Sequence, residues 1–81
     1  MSKSDYKFTQ RYARTLPKDK PHELKEFFPA GIWNNKSNKE KRTLGRKFKR
    51  LVRNDMLYFI SHYEVHSNKH TYYYISEWKY S

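Results

Sequence analysis

The chain has no cysteine. Disulfides and thiolate metal sites are therefore excluded, and a reducing compartment, the cytoplasm, is the expected location. No apolar run is long enough for a secretory leader or a membrane span, so a soluble protein with no membrane partner is expected. Glycine occurs twice and proline three times in 81 residues. That leaves little material for linkers, and no repeat or low-complexity stretch divides the chain, so residues 1–81 are expected to form one domain. Acids are scarce too. The 8 Asp and Glu residues are spread thinly, and only Glu23 and Glu26 stand close enough at helical spacing to pair. With no glycine-rich phosphate loop, nucleophile–base set or metal-binding carboxylate cluster, the chain reads as non-enzymatic, with no catalytic residue, metal or cofactor.

Against these absences stand 18 Lys and Arg and a formal charge of +10. Such a balance attracts polyanions. Aromatics make up 19% of residues against an overall hydrophobic content of 36%. A domain of this size buries only about 60% of its unfolded surface, so its core must be thin and rich in rings. Charge and rings are segregated: 8 of the 18 cations lie between Lys39 and Arg53, and 8 of the 15 aromatics lie after Arg53.

The cations of Lys39–Arg53 follow a helical period. At about 100° per residue, Leu44, Phe48, Leu51 and Val52 share one stripe while Lys39, Arg42, Arg46, Lys49, Arg50 and Arg53 share the opposite one. Glu40 is the only acid in the segment. Few intrahelical pairs can then offset the repulsion between like charges at i, i+3 and i+4. A row of phosphates would relieve it, so these six residues are the first candidates for binding nucleic acid. Gly45 is unexpected inside this helix, where it costs about 1 kcal/mol relative to Ala. Close approach of a helix or ligand, or a packing gap beside Trp33 or Phe28, would each account for it.

The rest of the chain predicts an α+β fold. Met1–Lys7 reads as a mobile polar leader, and Phe8–Leu16 as a short edge strand or extended arm able to add a third strand to a sheet. Pro17 and Pro21 bracket a turn. His22–Phe28 reads as a short helix with Leu24, Phe27 and Phe28 inward, ended by Pro29, Ala30 and Gly31, after which Ile32 and Trp33 anchor a loop. Ser37 and Glu40 have capping-box spacing and fix the start of the basic helix, while Asn54 suits a left-handed cap at its end. Leu57–Val65 and Thr71–Ser76 are rich in β-branched and aromatic residues and flank a turn at residues 66–70, which predicts a hairpin. Short helix, long basic helix and C-terminal β-hairpin is the order of a small winged helix-turn-helix-like domain.

At the hairpin tip, Lys69 and His70 join the nucleic-acid candidates, with His66 beside them. His62, His66 and His70 recur every four residues, but in a hairpin with Glu64 expected on the other side they do not make a metal site. Tyr72, Tyr73 and Tyr74 alternate faces, so one or two point outward. Tyr72, Tyr73 and Trp78 are accordingly candidates for stacking on a base or docking a partner, although rings of this kind more often belong to the core.

The residues Thr43-Leu44-Gly45-Arg46-Lys47-Phe48, preceded by Leu16-Pro17, Leu24-Lys25-Glu26-Phe27-Phe28 and Trp33, resemble a family of small basic domains of unknown function from Gram-positive bacteria and their mobile elements. One member is the middle protein of the staphylococcal cassette chromosome replication module, a polymerase partner in priming. The resemblance spans roughly Leu16 to Ile75. It implies a non-catalytic accessory subunit that binds single- or double-stranded DNA beside an A-family-like DNA polymerase, and it assigns no catalytic residue. A sequence-specific transcriptional regulator of winged-helix type, or a protein-interaction module whose basic face meets an acidic partner, would use the same helix differently.

Overall fold

A computed structural model describes residues 1–77. The chain forms α1 (Lys3–Thr15), β1 (Pro21–His22), a 3-10 turn (Leu24–Phe27), α2 (Ala30–Asn34), α3 (Asn38–Arg53), β2 (Ile60–Val65) and β3 (Thr71–Ile75). The strands make one antiparallel sheet in the order β1-β3-β2. The protein is thus a small α+β domain. Among the described residues no helix is long and apolar enough to cross a membrane.

The basic helix begins where the capping box predicts. The Ser37 hydroxyl accepts from the Glu40 amide at 3.1 Å, and the Glu40 carboxylate accepts from the Ser37 amide at 3.3 Å. Two of the helix's orphan donors are satisfied in this way. At the other end, Asn54 caps α3 with φ −92, and it is Asp55, with φ 55, that takes the left-handed conformation expected of Asn54. Leu44, Phe48 and Val52 are buried, as the periodicity requires. Phe48 sits at the centre of the core, with the Tyr73 ring edge-on at 4.7 Å and the Phe27 ring at 6.0 Å.

The first fifteen residues correct the sequence expectation. In place of a polar leader followed by an edge strand there is one helix, started by the Ser2 hydroxyl accepting from the Asp5 amide. Its inner side packs Tyr6 against Phe59 at 5.9 Å and Phe8 against Phe28 at 6.3 Å, with Thr9 and Ala13 fully buried. Thr9 is tolerated in the core because its hydroxyl donates to the Tyr6 carbonyl at 2.9 Å. Lys36 ties the start of α1 to the chain entering α3 through Asp5 at 3.1 Å, with both side chains largely buried.

The third strand comes from Pro21–His22, with Pro21 opposite Tyr74 and His22 opposite Tyr73. A two-residue edge suits Pro21, which lacks an N–H to offer the ladder. The helix expected over His22–Phe28 shrinks to the 3-10 turn, closed by the Glu23 amide donating to Glu26 at 2.7 Å. His22 is buried, its ring nitrogens 2.8 Å from Glu26 Oε1 and 2.6 Å from the Pro17 carbonyl. Pro29, expected to help end a helix, instead precedes a new one, α2, where a missing N–H costs nothing. Trp33 on α2 packs against Phe28 at 5.6 Å, while Ile32 is exposed.

The hairpin is present with shorter strands than expected, because Leu57 and Phe59 enter the core before pairing begins. Its tip is held by Asn68, which accepts from the His70 amide at 3.1 Å, and by Lys69 in the left-handed region with φ 65.

Candidate functional site

Burial of Leu44, Phe48 and Val52 turns the opposite face of α3 outward, so the helix alone determines where six cations point. Among the described residues no ion pair engages Lys39, Arg42, Arg46, Lys49 or Arg50. Arg53 differs, since it donates to the Tyr63 hydroxyl at 2.8 Å and thereby joins the end of α3 to β2.

Four of the six, Lys39, Arg42, Arg46 and Lys49, line a groove of about 850 Å³ whose far side is built by the hairpin tip, with Lys69 and His70. The fold thus gathers six of the eight residues expected to bind nucleic acid and leaves Arg50 and Arg53 outside this groove. Lys25, Lys41, Leu24, Trp33 and Gly45 line it as well. Of these five, the sequence points to a contact only at Gly45, where close approach of a helix or ligand is one expectation. Lys41 lies toward the core side of the helical wheel but extends its ammonium over the Trp33 ring, 5.3 Å from the centroid. Lys25 and Leu24 arrive through the 3-10 turn, which no periodicity within α3 could announce. A carboxylate also lines the groove: Glu23 lies 3.3 Å from His70 and 3.8 Å from Lys25. His70 is therefore oriented by an acid of its own chain as well as exposed at the tip.

Of the aromatic candidates, Tyr73 is the most deeply buried among the described residues. It is 1% exposed and packed against Phe48, so most of its ring belongs to the core, although it also contributes to the lining of the groove. Burial pushes its phenol pKa well up from the ordinary value, and Tyr63 adds to the effect. A raised folded-state pKa means that the stabilisation is complete below the unfolded value, near 10, and is lost as pH rises beyond it. Denaturant unfolding at stepped pH above 10 should show the wild type losing up to ~1.4 kcal/mol per pH unit from this group. Tyr73→Phe, which keeps the ring, should show a shallower loss.

Tyr72 and Tyr74 take the other face and are half-buried. The Tyr72 ring lies 4.5 Å from His66 and 6.4 Å from His70. The Tyr74 hydroxyl donates to Glu64 at 2.8 Å, a bond that raises the pKa of its phenol. Trp78 lies outside the described residues. Glu64, expected across the strand from the histidines, shares their face and lies 3.6 Å from His66, while His62 stacks on Tyr74 at 4.4 Å. Among the described residues no three His, Asp or Glu side chains are placed to hold a metal ion.

A family described as a domain of unknown function, DUF1413, matches residues 9–74. The chain belongs to this family. No curated protein and no solved structure matches it. The DUF1413 match runs from the middle of α1 to β3, so every residue placed in the groove falls within it.

Proposed function

We propose that this DUF1413 domain is a non-catalytic nucleic-acid-binding module that acts in the cytoplasm as an accessory subunit of a replication or priming polymerase. One observation carries the binding: a row of cations on α3, without ion-pair partners among the described residues, faces a groove completed by Lys69 at the hairpin tip. Its positive charge is offset within the groove by one carboxylate, Glu23. A polyanion is the partner that such a surface attracts.

The order of elements supports a winged-helix form of the module. One helix, a short strand, a short helix, a long helix and a hairpin follow one another, with the first strand beside the last. In winged helix-turn-helix domains the second helix of the pair meets nucleic acid. The same order favours, as a second reading, a sequence-specific regulator that lays α3 in a major groove. The link to an A-family-like polymerase of a mobile element rests on the sequence resemblance alone.

Measuring affinity against salt tests the binding. If about five cations each neutralise a phosphate, log K should fall with log[salt] at a slope near −3.5 on a single strand or near −4.5 on duplex. Affinity independent of salt would end the proposal. A large preference for one duplex sequence would favour the regulator, and complex formation with the polymerase, together with primer synthesis by the mixture, would favour the accessory subunit.

A further inference from the structure

Phosphate binding explains the cations of the groove but not its other wall. The groove is also lined by the apolar side chains of Leu24 and Trp33, and by α3 at Gly45, which carries no side chain. Phe28 packs against Trp33 at 5.6 Å, and the Lys41 ammonium lies over the Trp33 ring, a long side chain able to turn aside. Gly45 is not there for its own fold. Its φ is not positive, and a Cβ built on it would meet nothing within 4 Å. Helix propensity favours alanine at such a position. What glycine provides instead is bare helix backbone in a groove that also holds the cations, Leu24 and Trp33.

We infer that this groove takes an unpaired nucleotide, with its base against Leu24 and Trp33, its phosphate on Arg42, Arg46 or Lys49, and its sugar or base edge passing close over Gly45. The inference rests on the nucleic-acid reading above and narrows it. A duplex keeps its bases stacked inside and shows phosphates outward, so it can use the cations but not the apolar wall. An unpaired base has free faces for an aromatic surface. Acidic peptide segments could meet the cations as well, but they bring no flat apolar group to the Trp33 side.

Three probes of equal length separate these cases: an oligothymidylate, an abasic oligomer of the same charge, and a duplex. In a Trp78→Phe background Trp33 is the sole tryptophan. Oligothymidylate should quench its fluorescence and bind about tenfold or more tighter than the abasic oligomer, in keeping with the contribution of one stacked base. Gly45→Ala in the otherwise native chain, followed by anisotropy with labelled probes, gives the second test. It should melt at the same temperature or higher, lose about tenfold in affinity for oligothymidylate, and bind the abasic oligomer unchanged. Equal affinity for the base-bearing and abasic strands, tighter binding of duplex, a lower melting temperature for Gly45→Ala, or its unaltered binding would each overturn the inference while leaving phosphate binding intact. Failure of all three probes to bind at low salt, or binding of polyglutamate alone, would overturn the nucleic-acid reading with it.

Discussion

Phe48→Ala is expected to leave the protein only marginally stable at room temperature. The side chain is fully buried and lies between the rings of Phe27 and Tyr73, so its removal takes away the element that α3, the 3-10 turn and β3 share. Phe→Ala in a core costs ~3–5 kcal/mol, including the cavity left behind. Domains in general have only ~5–15 kcal/mol in total, and one of this size lies toward the low end. By contrast, Ser37→Ala removes one hydroxyl from the cap of the same helix and should cost ~1 kcal/mol. Urea titrations of the two variants, followed by circular dichroism, would show this gap directly. A Phe48→Ala protein melting within a degree or two of the wild type would mean that α3 is turned differently, and its cationic face with it.

The second large effect is on binding. Arg46 is exposed, Lys49 is half-buried, and neither has an ion pair to lose among the described residues, so the double Ala variant should keep its melting temperature. Both line the groove. If each meets a phosphate, the salt slope should become shallower by one to two units. Affinity should fall most at low salt, where counterion release contributes most. A double variant with the wild-type slope would move the phosphates to another face.

What the sequence disclosed follows from where the signals lie. The start and phase of α3 were legible because a reciprocal cap and four regularly spaced apolar residues describe the same helix. The hairpin was legible because β-branched and aromatic residues flank a polar turn. The first helix was not, since its fully buried Thr9 looks polar and becomes acceptable only through a bond to its own backbone. Pro29 and Gly31 misdirected the expectation for α2: such residues mark a helix boundary without saying which side of it the helix occupies. At the site, the cations of α3 could be phased from one segment. Their neighbours Lys25, Leu24 and Trp33 reach the groove only through tertiary packing.

β3 stands in the middle of the sheet although it is synthesised after both of its neighbours. While the ribosome is still adding residues 71–75, neither β1 nor β2 has its partner, and Phe48 lacks the Tyr73 ring. Until those five residues emerge, the nascent chain has β1 and β2 unpaired and part of the core around Phe48 open. Premature termination before Thr71 would therefore release not a smaller domain but a sticky, positively charged fragment, a substrate for chaperones and proteases.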